Sequence, residues 1–172
     1  MTSISLNKVI GESFLLGDEV NTDIHCSNKY QPGKDIQFMS KIAFNELSPG
    51  LATRITNTDG GILVAGDNFG INSSREQAVQ IMLLMNIKGI VAKSFGRQFF
   101  RNAINNGMPL LECDTSNIEG GTFLEINFRT GCINSLNKIP IKALPLPNEI
   151  IKIIELGGLI PFLKKHPNWN FQ

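Results

Sequence analysis

Long hydrophobic runs are absent from this chain. No stretch approaches the ~18–20 apolar residues that a membrane-spanning helix needs, so no membrane partner is expected. Blocks of like charge are absent too. Lysine plus arginine number 16 and aspartate plus glutamate 15, for a formal net charge of +1. That balance leaves no basic stripe for a nucleic acid to follow. Cysteine is scarce: Cys26, Cys113 and Cys132 stand far apart, with no C-x-x-C pair. The spacing argues against a disulfide scaffold and against a zinc or iron–sulfur site held by this chain alone. A reducing cytoplasm is the simple inference. Histidine occurs only as His25 and His166, so the adjacent His25-Cys26 pair is read as structural or incidental. The first 20 residues lack a long apolar core and a cleavage pattern, so no signal peptide is expected. Internal repeats, low-complexity tracts and linkers are missing. Residues 1–172 are therefore read as one domain, with 42% hydrophobic residues to supply a core.

What is present is concentrated between Gly60 and Cys113. The apolar run Ile62-Leu63-Val64-Ala65 leads into Gly66-Asp67-Asn68-Phe69-Gly70-Ile71-Asn72-Ser73-Ser74-Arg75-Glu76. A helical pattern follows, so a strand feeds a glycine-rich turn that opens a helix. Ser73 and Glu76 have the spacing of a capping box, which predicts a helix N-terminus at Ser73. Backbone N–H groups, two hydroxyls and a guanidinium together suit an anion, with carboxylate or phosphate the natural guest. Read alone, Ser73 is a plain N-cap and Arg75 a surface ion-pair residue.

The remaining elements are coarser. Val9-Ile10 and Phe14-Leu15-Leu16 are β-like, and residues 17–35 read as a long polar loop. Helical spacing runs from Asp35 to Leu47 and stops at Pro49-Gly50. Ile90-Val91-Ala92 and Pro109 to Cys113 are strands, with a helix from Arg97 to Asn106 between them and Gly107 as its C′ residue. This succession predicts parallel pairing through right-handed crossovers. Thr122 to Phe128 alternates in antiparallel style, and Ile139 to Leu144 is a further candidate strand. Asn148 is expected to cap a helix through Leu156, with a last short helix from Gly158 to Lys165. Arg97 and Arg101 share one helix face, read as solvated.

Several blocks resemble a known family. They are Gly17-Asp18, Asn21-Thr22-Asp23, the Ser-Ser-Arg turn, the segment from Ile87 to Cys113, and the segment from Pro145 to Lys165. Together they resemble the small subunit of 3-isopropylmalate dehydratase, equivalent to the swivel domain of aconitases, over roughly residues 15–165. The resemblance implies an α/β fold: a three-layer β/β/α swivel domain with mixed parallel and antiparallel strands. It also implies a hydro-lyase subunit active only with a large subunit, and a [4Fe–4S] cluster on that partner, with no cofactor in this chain. By the same resemblance Ser73 is the catalytic base. Ser74 and Arg75 bind substrate carboxylates, and Asp23 lies near the active site. Lys29 stands where relatives commonly carry an arginine, and would contact a carboxylate as a point charge.

A physical argument bears on the base. A helix terminus supplies at most ~2 kcal/mol, or about 1.5 pKa units. That is too little to ionise an ordinary alcohol near neutrality, so more positive charge must come from Arg75 or a partner. The chain also departs from the family's usual turn: Ile71, Asn72 and Gln77 replace a Cys, a Gly and a His. Asn72 tolerates positive φ and preserves the turn. The leading reading is a 3-isopropylmalate dehydratase small subunit in leucine biosynthesis. The alternatives are a sister hydro-lyase for homoaconitate, a methylated malate or a methylcitrate-type acid, and a non-catalytic anion-binding module.

Overall fold

Two periodicities divide the sheet. After Gly60, strands alternate with helices, and the strands there are buried on both faces apart from Lys88 and Glu112, as a doubly covered parallel sheet requires. After Gly120 the strands alternate buried with exposed residues and pair antiparallel. The computed structural model describes residues 5–27, 33–72, 75–135 and 138–168. Strands β1 (Val9–Leu15), β2 (Gly61–Ala65), β3 (Ile87–Ala92) and β4 (Leu110–Glu112) are mutually parallel. Strands β5 (Phe123–Asn127), β6 (Cys132–Ser135) and β7 (Ile141–Lys142) extend the sheet antiparallel from β1. The order is β4-β3-β2-β1-β5-β6-β7.

Helices fill the crossovers. Between β1 and β2 lie α1 (Thr22–His25), α2 (Ile36–Ile42) and α3 (Leu51–Thr56); α4 (Glu76–Leu84) and α5 (Arg97–Asn105) follow β2 and β3. Leu63, Ala65, Ile90, Ala92 and Leu110 pack against Met39, Ile55, Val79, Met82 and Phe99 from these helices. The alternate strand residues, Ile62, Val64, Val91 and Leu111, share a second core with Leu124, Ile126 and Ile133 of the antiparallel half. A flat sheet would hold β3 and β5, three places apart, at roughly 14 Å. Yet a Cβ built on Gly89 of β3 would lie 2.7 Å from the ring tip of Phe128, just after β5. The sheet is therefore curled, with its antiparallel half folded over the parallel half, in the β/β/α order. Two last helices, α6 (Asn148–Glu155) and α7 (Leu159–Lys165), close the second core through Ile151, Ile154 and Phe162.

Several local expectations need correction. The loop over 17–35 contains α1, because Asn21 Oδ1 accepts from the N–H of Asp23 at 3.0 Å and of Ile24 at 3.4 Å. The helix expected to Leu47 ends at Ile42, where Ala43 turns extended and Phe44 takes a φ of 60°. Pro49-Gly50 marks the start of α3 as well as a stop, since Gly50 is its N-cap at φ 70°. The α6 N-cap is Pro147, and Asn148 is the first helical residue. Strand β7 covers only Ile141–Lys142 of the six residues expected, and β6 was not anticipated. The N-cap of α4 is Arg75, with no side-chain cap bond, so Glu76 is the first helical residue and the capping-box register is not met.

Candidate functional site

Strands β1 and β2 run parallel and end side by side. The segments leaving their C-terminal ends stay zipped together, at the end of the sheet where open α/β folds bind ligands. Leu16 N donates to Val64 O at 3.0 Å, Gly66 N to Gly17 O at 2.9 Å, Glu19 N to Asp67 O at 2.7 Å and Gly70 N to Val20 O at 2.9 Å. The Asp18 carboxylate adds a side-chain tie, accepting from Asp67 N at 2.8 Å. A Cβ on Gly66 would overlap that carboxylate oxygen, so glycine is required there by space. Asn68, Gly70 and Asn72 take φ values of 57°, 79° and 58°. These are left-handed conformations that glycine and asparagine tolerate best. A Cβ on Gly70 would overlap the Phe99 side chain, so the turn lies directly on α5. Asn68 N also donates to Ser94 Oγ at 2.9 Å, and Phe69 forms a bridge to Phe95.

This scaffold brings two of the five expected site residues together. Asp23, on α1, is buried, and its Oδ1 lies 3.6 Å from Nε of Arg75. The Arg75 side chain is 41% exposed, while its Nε is buried and makes no hydrogen bond. The Nε edge of the guanidinium thus faces Asp23, on a side chain that keeps two-fifths of its surface exposed. Ser73, Ser74 and Lys29 lie outside the described residues. The Thr22 hydroxyl, also on α1, is buried without a hydrogen-bond partner. His25 Nδ1 lies 3.5 Å from Glu46 Oε2.

Two contributors escaped the sequence reading. Asp18 was noted only as part of a matching block, although its acceptor role ties the two segments. Cys26 was read only as structural or incidental, with no partner named. It is fully buried, and its thiol donates to the Ala78 carbonyl of α4 at 3.3 Å. No one-dimensional signal marks a contact between residues 52 apart.

The described residues do not fit a metal cluster. No group of three or more His, Cys, Asp or Glu side chains gathers among them. Burial pushes the Cys26 thiol well up, and burial with the Asp114 charge pushes Cys113 up to about 11. Neither is a ready thiolate ligand. Two sizeable hollows lie elsewhere. One of about 590 Å³ is bounded by Ser116, Leu124, Ile133 and Ile141, and one of about 620 Å³ by Val9, Leu83, Ile87 and Pro109. They are not read as the site, because neither is lined by Asp23 or Arg75. No described helix is long and apolar enough to cross a membrane.

Residues 4–115, well over half of the chain, match the Aconitase C-terminal domain family. The chain belongs to that family. Among its relatives, a 3-isopropylmalate dehydratase small subunit 2 of Archaeoglobus fulgidus is 35% identical over 161 residues, covering 92% of this chain and 96% of that protein. A 3-isopropylmalate dehydratase small subunit of Methanosarcina mazei is 39% identical over 161 residues, covering 90% and 96%. The crystal structure of a 3-isopropylmalate dehydratase from Methanocaldococcus jannaschii superposes with a TM-score of 0.84 at 33% identity, covering 93% of this chain and 95% of that one. The curled sheet is thus that of aconitase-family small subunits, and the zipped turn lies within the matched residues.

Proposed function

We propose that this chain is the small subunit of 3-isopropylmalate dehydratase. Such a hydro-lyase removes water from a hydroxy acid and returns it across the same two carbons, here in leucine biosynthesis. Support comes from relatives at 35% and 39% identity that carry this name across nine-tenths of the chain. The observation that carries the site is Arg75: its Nε is buried against the Asp23 carboxylate, and its side chain is 41% exposed. A guanidinium so held presents its terminal N–H groups as a fork for a carboxylate.

In this reading Arg75 and Ser74 hold a substrate carboxylate, Asp23 orients Arg75, and Lys29 adds a second positive charge. Ser73 takes the proton from the carbon next to a carboxylate. The Arg75 charge and the N-terminus of α4, which begins three residues after Ser73, favour the ionised hydroxyl. They do not suffice near neutrality, so a partner must add positive charge. The described residues of this chain gather no cluster ligand set, and the [4Fe–4S] cluster is assigned to a large subunit that completes the site. The chain functions as one domain over residues 1–172, in the cytoplasm.

The test is reconstitution. The chain is mixed anaerobically with the cluster-loaded large subunit and offered a panel of hydroxy acids: 3-isopropylmalate, homoaconitate, a methylated malate and a methylcitrate. Preferred turnover of 3-isopropylmalate supports the reading. Preference for another acid would assign the chain to a sister hydro-lyase, for which the side chains of Ile71, Asn72 and Gln77 in and after the turn would be the first suspects. Binding without turnover of any acid would make it a non-catalytic anion-binding module.

A further inference from the structure

Helix α1 is only four residues long, far short of the ~12–15 residues at which an isolated helix becomes even marginal in water. Its position therefore depends on its ties to the scaffold. On its N-terminal side, Gly70 N bonds to Val20 O at 2.9 Å. On its C-terminal side, Phe44 N bonds to His25 O at 2.7 Å, and the Cys26 thiol bonds to Ala78 O at 3.3 Å. The sulfur tie has a register of its own. Cys26 stands three residues after Asp23, and Ala78 three residues after Arg75. The Cys26–Ala78 bond thus joins the same two segments as the Asp23–Arg75 contact, three residues further along each.

We infer that Cys26 is a positioning residue, whose buried thiol sets the register in which Asp23 meets Arg75. Burial keeps the thiol protonated, so it remains a donor throughout the usual assay range. The sulfur packs among buried core residues and makes no part of the open surface around Arg75. Its influence on ligand binding therefore passes through Arg75. The bearing on catalysis rests on the function proposed above; the positioning itself does not.

The test uses three substitutions in the full chain. Cys26→Ser keeps a donor in similar volume, Cys26→Ala removes donor and volume, and Cys26→Val keeps volume without a donor. The first readout is the Arg75 Nε–H resonance of the isolated protein, assigned by its loss in Arg75→Lys. That N–H is protected by burial, so its hydrogen exchange should accelerate about tenfold in the Ala and Val variants, as the register loosens and water reaches it, and stay within about twofold in Ser. In the reconstituted complex, KM for the hydroxy acid should rise about tenfold in Ala and Val, with kcat changed less than about threefold, and Ser should restore KM. Should Val not fold, the Ala–Ser contrast carries the same question. Equal exchange in all folded variants would overturn the inference whatever the activity. A clear exchange contrast among the variants, together with a wild-type complex that turns over no hydroxy acid, would leave the positioning role standing and remove the proposed function.

Discussion

Arg75 makes its ion pair with Asp23 through Nε, at a distance too long for a hydrogen bond, on a side chain that stays partly exposed. Replacement by lysine keeps the charge and loses the fork. Charge-assisted hydrogen bonds contribute ~1.5–3 kcal/mol each, so Arg75→Lys should lower kcat/KM about 10- to 150-fold while the unfolding transition stays in place. Unchanged kcat/KM would make Arg75 an ordinary ion-pair residue. Gly66 offers a second residue-scale test. Gly66→Ala must displace the Asp18 carboxylate or shift the turn, at a cost of about 1–3 kcal/mol. In the Asp18→Ala background the same change should cost much less, because the obstructing group is gone. Additive losses in denaturant melts would place the clash elsewhere. For the thiols, Cys113 is half-buried beside Asp114 and its pKa is raised to about 11. A group whose folded pKa is raised contributes stability below its unfolded pKa and loses it as pH rises to the folded one. Alkylation of Cys113 should be slow at pH 8 and quicken toward pH 11, followed by mass spectrometry. Arg75 and Asp23 were singled out through the family resemblance, and the fold brings the two together. The ties made by Asp18 and Cys26 were not legible in the sequence, since their partners lie 49 and 52 residues away.

At the scale of elements, strong apolar periodicity made β2, β3, α4 and α5 legible within a few residues. Weak or double-edged end signals caused the errors. Pro49-Gly50 was read as a terminator, but a glycine in the left-handed region can also introduce the next helix, and α3 begins there. Asn21 caps four residues that carry no helical period of their own, so α1 was invisible. Ser73 and Glu76 carry capping-box letters, yet the N-cap of α4 is Arg75, two residues after Ser73. With the cap position at Arg75, Ser73→Ala should leave stability close to wild type while removing turnover in the assembled enzyme. By contrast, Asp35 is an N-cap in fact. Its carboxylate accepts from Phe38 N at 2.7 Å, so Asp35→Ala should cost ~0.5–2 kcal/mol in urea unfolding. If Ser73→Ala proved as destabilising as Asp35→Ala, the serine would be a cap and its catalytic assignment would weaken.

At the scale of the molecule, the sequence carried the mixture of parallel and antiparallel strands but gave no bottom-up route to the curl. Curling depends on contacts such as Phe128 over Gly89, which no periodicity encodes. Its consequence is a domain whose two cores are filled by its own strands and helices, while Asp23 and Arg75 stand at the rim, where the segments leave β1 and β2. A site at a rim has one wall. It holds a guanidinium and a buried carboxylate, it gathers no metal-binding group among the described residues, and its half-open arginine faces outward. In the proposed function, elimination of hydroxide needs a Lewis acid or an acid opposite the base, and a Ser73 base needs more positive field than one helix end provides. Both requirements place the second wall on another chain. The isolated protein should therefore be folded, colourless and inactive toward every hydroxy acid. Activity should appear on titration with the cluster-loaded large subunit, saturate at a fixed ratio of the two chains, and decline on exposure to oxygen. Arg75→Lys should bind the large subunit normally and saturate at the same ratio, with the loss confined to kcat/KM. Turnover by the purified 172-residue chain alone would refute the two-wall site.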